Sequence, residues 1–469
     1  MKKRFLLLIM IVCSIFMVVS CGEKTGEVDG FWDKDGDGIA DWQQEEITLT
    51  YASWQHNDPE AITIESLMVE AFTEKYPNIT VEMEILGVQD NEWDPTLISL
   101  QEADDLPDVF LVNRLENLLP NLVTADITEY WDNDPDTAKI LDSVRDLGLV
   151  DGKRYIVPTY FYPQFWIVNL SLLKSKNITV PSYDWTWEDM ENIAKEVTDI
   201  NNHVFGVYGT AQYFYEYPKV IDAETHPYAY GYNGESFDYS SEAYLQAMTA
   251  LETALNEQYV INSLSADECK EFYRDENADP RYIGKVGIWR QAAWEVKNQM
   301  PNFQFEFDVY PAPSGVGMGN TDIAGISSLT EHPEAAYQLL KWMSYSEEGL
   351  IRRYELYEEY EEELYISGNN YPYPIVDYGM DKTGVNKIWD SIPYGTTAPG
   401  LVSPQFIEAI RGAATQANKE VIGWDAVDQA VGPYFSQILM GESDFWTLRE
   451  TIQSAANTAL EYRRKTILG

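Results

Sequence analysis

The chain is poor in the residues on which catalysis and cross-linking usually rest. Among 469 residues there are four histidines and three cysteines. His56, His203, His226 and His332 show no His-Glu-x-x-His spacing, and there is no Gly-x-Ser-x-Gly elbow and no phosphate-cradling P-loop. Cys13 lies inside an N-terminal apolar run and Cys21 directly after it, so a processed chain keeps Cys269 as its one partnerless thiol and forms no internal disulfide. Stability has to come from a packed core, and a hydrophobic content of 45% in a chain long enough for two lobes supplies one. Positive charge is scarce as well. The balance of 32 Lys and Arg against 77 Asp and Glu gives a net charge of -45, which excludes nucleic acid as a partner. The abundance of acids also removes their value as a glycosidase signal, because chance carboxylate pairs are guaranteed. Beyond the first twenty residues no apolar run is long enough to span a bilayer.

The N-terminus reads MKKRFLLLIMIVCSIFMVVSCGEK. Lys2, Lys3 and Arg4 precede an apolar stretch from Phe5 to Val19, and Val18-Val19-Ser20-Cys21 resembles a bacterial lipobox. That resemblance implies a signal peptide over 1–20, lipid on Cys21 and a protein held outside the cell membrane. A tether over 21–46 follows, and it contains DKDGDGIADWQQEE. Asp33, Asp35, Asp37 and Asp41 sit at alternate, ligand-like positions, with Gly38 for the turn, the Ile39 carbonyl and the displaced acid Glu45 completing an oxygen set. The loop resembles the aspartate-rich calcium loops of bacterial thrombospondin type 3 repeats and dockerins, and implies calcium in the tether. A solvated acidic linker is the plainer reading.

From residue 47 the pattern becomes that of a globule. Ile47, Leu49 and Tyr51 alternate with threonines, as in a strand. Ile64, Leu67, Met68, Ala71 and Phe72 recur at helical spacing until Pro77 ends the helix. Ile79, Val81, Met83 and Ile85 alternate again, so the stretch is a βαβ unit with a parallel pair. A helical TLISLQEA and a buried strand DLPDVFLV come next.

Several segments in order resemble family 1 extracellular solute-binding proteins, the receptor lipoproteins of ABC sugar importers related to maltose-binding protein. They are FTEKYPNITVEMEI, DLPDVFLV, LVDGKRYIVPTYFYPQFWIVNLSLLKSKNITVP, WTWEDMENIAKEVTD, GKVGIWRQAAW, DVYPAPSG, IAGISSLTEHPEAAYQLLKWMSYSEEG and FSQILMGESDFWTLRETIQSAANTALEYR. The likeness runs from Ile47 to Arg463; the tether loop and the acidic RRYELYEEYEEELYISGNNYPYP depart from it. It implies an α/β, two-lobed type II periplasmic binding protein fold with hinge crossings near Pro158–Gln164 and Val309–Ala312. The N-lobe is then 47–159 with 313–368, and the C-lobe 160–312 with 369–469. It also implies a monomeric receptor that captures a carbohydrate, an oligosaccharide by preference, and hands it to ABC permease subunits and their ATPase.

Open α/β sheets bind ligands at the carboxyl ends of their strands. On that ground the ligand-binding candidates are Trp54, Asn57 and Asp58 after the first strand and Asn113 after DVFLV. Tyr160, Tyr162 and Trp166 share one face of the hinge strand, and Tyr208 ends FGVY. Trp289 and Arg290 end GKVGIWR, with Trp289 as the C-lobe stacking platform; the resemblance adds Asp322, in the segment that lines the family's cleft from the N-lobe, and Trp389 is a further C-lobe candidate. Rich aromatic content, 14 Trp and 32 Tyr, suits sugar stacking as well as cores. Two other functions compete: a surface-attached glycan-active enzyme, and a calcium-dependent adhesion or structural lipoprotein. The YELYEEYEEELY stretch reads as a solvated helix face and not as a metal site.

Overall fold

The computed structural model describes residues 30–228, 230–293, 300–366, 373–376, 398–413, 415, 419 and 421–468. The chain divides into two compact units, Met1–Glu45 and Glu46–Gly469. Cys21 and Trp389 lie outside the described residues.

In the first unit the aspartate loop folds onto itself. Asp33 accepts the amides of Gly36 at 2.7 Å and Asp37 at 3.1 Å through Oδ1, and that of Gly38 at 2.8 Å through Oδ2. Gly36 and Gly38 take φ of 75° and 89°, a region costly to side-chain-bearing residues.

The second unit is built on one nine-stranded sheet. Its strands are β1 (Ile47–Ala52), β2 (Ile79–Glu84), β3 (Val109–Val112), β6 (Val157–Asn169), β7 (Phe205–Tyr208), β8 (Val260–Ile261), β9 (Val286–Ala292), β10 (Phe307–Tyr310) and β11 (Met318–Ile326). A separate hairpin holds β4 (Leu149–Val150) and β5 (Lys153–Arg154). The order is β2-β1-β3-β11-β6-β9-β7-β8, with β10 against the end of β6. The βαβ unit forms as the alternation predicts: Ile47 pairs in parallel with Ile79. The helix Ile64–Lys75 between them starts at a Thr63–Ser66 capping box, which satisfies orphan amides.

β6 is the spine of the molecule. Its thirteen residues pair with β11 from Val157 to Gln164, and with β9 from Gln164 to Val168. The strand therefore changes neighbours at Gln164 and carries the chain from the first lobe into the second. β10 and β11 bring it back, joined by a turn at Pro313–Gly315.

The second lobe's core joins Trp166, Trp185, Trp187, Tyr213 and Tyr244 to Val427, Val431 and Ile452. The C-terminal helices Trp424–Leu439 and Phe445–Leu468 thus belong to that lobe. In the first lobe the helix Glu347–Glu359, whose second half opens the acidic segment, is anchored by Arg353. Arg353 and Glu65 form an ion pair at 3.3 Å, both buried, while Arg352 pairs outside with Glu355 and Glu359. Only one face of that helix is solvated.

Candidate functional site

Two neighbouring strand ends, those of β1 and β3, open on the first-lobe side. The turn after β1 presents Trp54, half-buried and edge-on to Trp93 with centroids 5.2 Å apart. Trp93 is fixed by its indole N–H donating to the Leu111 carbonyl at 2.7 Å. Asn57 and Asp58 are exposed, and Asp58 accepts the amide of Glu60 in its own turn. At the end of β3, Asp94 accepts the backbone amides of Asn113 and Arg114 at 3.0 and 2.9 Å. The Asn113 side-chain amide donates to the Asp90 carbonyl at 2.9 Å, so it is used within the lobe.

Beside these strand ends Tyr162, Gln55, Asp322 and Lys419 form a largely buried polar group. Gln55 donates to the Tyr162 hydroxyl at 3.3 Å. Asp322 is 4% exposed and accepts from Asn320 at 3.3 Å. Burial raises its pKa to about 6 against the opposing pull of Lys419, with Glu65 adding to the rise. Burial lowers the Lys419 ammonium, and Asp322 and Asp94 hold it up. That ammonium donates to the Val112 carbonyl at 3.3 Å and to the carbonyl of Asn113.

The second-lobe wall centres on Trp424, the first residue of its helix. Trp424 is half-buried; its ring lies 5.1 Å from Tyr230, 5.7 Å from Phe237 and 6.5 Å from Tyr215. Tyr230 holds φ of 72°, unusual for an aromatic residue and the kind of strain that collects at ligand sites. The next helix residue, Asp425, reaches Arg114 of the first lobe at 2.5 Å. Arg290 is ion-paired with buried Glu216. Burial takes the Arg290 guanidinium down to about 10, with Tyr215 opposing. Burial and then Asp428 push Tyr215 up to about 12, while Arg290 pulls it back. Arg114, Asp425, Asp428, Tyr215 and Arg290 thus feel one another across the two lobes.

Several expected residues sit elsewhere. Trp289 is not a cleft platform: it is fully buried, edge-on to Phe303 at 5.5 Å, and bonded through its indole to Gln291. Its neighbour Arg290 takes the opposite face of β9, as strand pleating requires. Tyr160 is in the first-lobe core, donating to Glu65 at 2.9 Å and accepting from Arg353 at 2.6 Å. Trp166 is in the second-lobe core, edge-on to Trp185 and Trp187. The Arg281 guanidinium lies 4.6 Å over the ring of half-buried Tyr208. In the first unit the carboxylates that cluster are Asp33, Asp35 and Asp37; Asp41 accepts the Lys34 amide instead, and the side chain of Gln44 reaches the Ile39 carbonyl at 3.4 Å. Neither Asp41 nor Glu45 joins that cluster.

Trp424, Tyr215, Tyr230, Asp425 and Lys419 escaped the sequence reading. The Gly423-Trp424-Asp425 that opens a helix is a sequence signal for Trp424 and Asp425; Tyr215, Tyr230 and Lys419 carry none.

Indole and phenol rings gathered around Trp424 thus stand next to the Arg114–Asp425 pair, which joins the two lobes of one sheet. The bacterial extracellular solute-binding protein family model matches residues 57–349, and the chain belongs to that family. Its members bind solutes and are not enzymes. The fold is similar to the sugar-binding protein MalE from Xanthomonas citri, with a TM-score of 0.65, 14% identity and coverage of 89% of this chain and 98% of that one. It is similar to the cyclic alpha-maltosyl-1,6-maltose binding protein from Arthrobacter globiformis, with a TM-score of 0.65, 15% identity and coverage of 88% and 99%. An ABC substrate-binding protein from Listeria monocytogenes, in complex with cycloalternan, gives a TM-score of 0.60 at 20% identity, with coverage of 90% and 99%. Among the described residues no helix is long and apolar enough to cross a membrane.

Proposed function

We propose that the chain is a lipid-anchored receptor that captures an oligosaccharide between its lobes and passes it to an ABC importer. The observation that carries this is the Trp424–Asp425 pair, which sets an aromatic face beside Arg114 of the opposite lobe. Sugar rings have apolar C–H faces that stack on indole and hydroxyls that pair with carboxylates and guanidinium groups. The cations at this site already face acids, Arg114 with Asp425 and Arg290 with Glu216, which favours a neutral glycan over an acidic one. The ligands named for the structural relatives, maltose-type and cyclic glucans, belong to the same class. A thermal-shift panel of neutral and acidic oligosaccharides tests the reading, since a ligand of the folded state raises Tm. Stabilisation by a neutral glycan, absent in Trp424→Ala, supports it; stabilisation by uronates alone refutes the ligand class.

A second reading concerns the N-terminal unit. Carboxylate oxygens of Asp33, Asp35 and Asp37 lie within 4.8 Å of one another. Hard oxygen donors at that spacing fit calcium, which would offset their mutual repulsion and stiffen the tether. Calorimetric titration of calcium should give heat with the wild type and none with the Asp35→Ala, Asp37→Ala double variant; equal heats would remove the site.

A further inference from the structure

The helix that carries Trp424 has no cap of its own: its N-cap is Gly423, with φ of 100° and no side chain to accept an amide. The acceptor comes from the other lobe. Glu116, in the short helix Leu115–Leu118 after β3, accepts the Gly423 amide through Oε2 at 2.5 Å. Glu116 is 3% exposed. A carboxylate at a helix N-terminus meets both the unpaired amides and the positive end of the helix dipole. Arg463, near the end of the last helix, places Nε 3.9 Å from Glu116 Oε1 and donates to the Glu116 carbonyl at 3.4 Å. A Cβ on Gly423 would meet Leu460 at 3.1 Å, so the backbone is pressed against the last helix as well.

Three successive residues therefore act on the same cleft. Gly423 is held by Glu116, Trp424 offers its ring and Asp425 pairs with Arg114. We infer that Glu116 is a positioning residue for the ligand platform: it docks the helix N-terminus onto the first lobe and so fixes Trp424 over the cleft. The contact is made by the chain's own groups, so it draws the lobes together without a ligand. Burial works against the Glu116 charge, and the Gly423 amide is first among the groups that offset it.

The inference rests on Trp424 facing the ligand, and the test separates the two ideas. Spin labels at exposed Glu102 on the first lobe and exposed Asn256 on the second report the distance between lobes in the full chain. Without saccharide, the wild type should give a narrow distribution. Glu116→Ala should broaden and lengthen it. Glu116→Asp, one methylene short of the amide, should do the same, and Glu116→Gln, which keeps an acceptor oxygen, should restore the narrow peak. Maltotetraose affinity, read alongside, should fall about tenfold in Glu116→Ala and recover in Glu116→Gln. Wild-type distances in both the Ala and Asp variants overturn the positioning role. Altered distances with no maltotetraose binding by the wild type leave the clasp standing and count against the carbohydrate reading alone.

Discussion

Two arginine–carboxylate pairs, Arg353–Glu65 in the first-lobe core and Arg114–Asp425 between the lobes, are built differently. Arg353 and Glu65 have side chains 2% and 1% exposed, and Tyr51 and Tyr160 donate to the same carboxylate at 2.6 and 2.9 Å. Arg114 and Asp425 have side chains 31% and 22% exposed, come from opposite lobes, and are open to water at their rim. A buried pair with every oxygen satisfied holds one arrangement, because either charge left alone in the core is costly. A half-exposed pair is cheap to break and to re-form, because water replaces the partner. The first suits a fixed lobe, and the second suits a surface that opens for a ligand.

This contrast fails if the two pairs respond alike to truncation. Arg353→Ala should destabilise the fold by about 3–5 kcal/mol, since Glu65 is left buried and unpaired. Denaturant unfolding measures it, and a loss below about 1 kcal/mol would mean that the network is not a core element.

Asp322 sharpens the comparison at the boundary between lobe and cleft. With a folded pKa of about 6, it holds its proton more tightly in the fold than in the unfolded chain, so protonation favours the fold. The contribution is complete below about pH 4 and is lost as the pH rises through about 6, by roughly 3 kcal/mol. Melting curves of wild type and Asp322→Asn across that window should differ in slope, the variant being flatter. Parallel curves would place the carboxyl in water.

Asp425→Asn should give the smallest effect on stability, within about 1 kcal/mol, as for exposed ion pairs. It should still widen the distance between lobes. A loss as large as that of Arg353→Ala would make Arg114–Asp425 a structural pair and erase the distinction.

Much of the frame was legible in the residues. Alternation and Pro77 mark the first βαβ unit, and FGVY ends at Tyr208 as expected. The site was harder, for reasons visible in β6 and β9. Tyr160, Tyr162 and Trp166 do lie along one strand, but that strand crosses from lobe to lobe. The same face meets the first core at Tyr160, the Gln55 side chain at Tyr162 and the second core at Trp166. In β9 the residues from Val286 to Trp289 are all buried, so alternation gives no hint of which neighbour faces the ligand. Asn113 looked free for hydroxyls because its bond to Asp90 depends on a loop conformation. Trp424 follows Arg114 by some three hundred residues, and only the return of the C-terminal helices to the cleft brings them together.

Two tryptophans carry the central claim. Trp424 is read as the platform and Trp289 as core. Isothermal titration with the stabilising glycan, paired with thermal melting, separates them. Trp424→Ala should weaken binding by roughly tenfold to a thousandfold, about 1.4–4 kcal/mol, and leave Tm near the wild type. Trp289→Ala should lose about 3–5 kcal/mol of stability through the cavity it leaves. The reverse pattern, with Trp424→Ala unfolding early and Trp289→Ala stable but unable to bind, would contradict the account and move the cleft to the other side of β9.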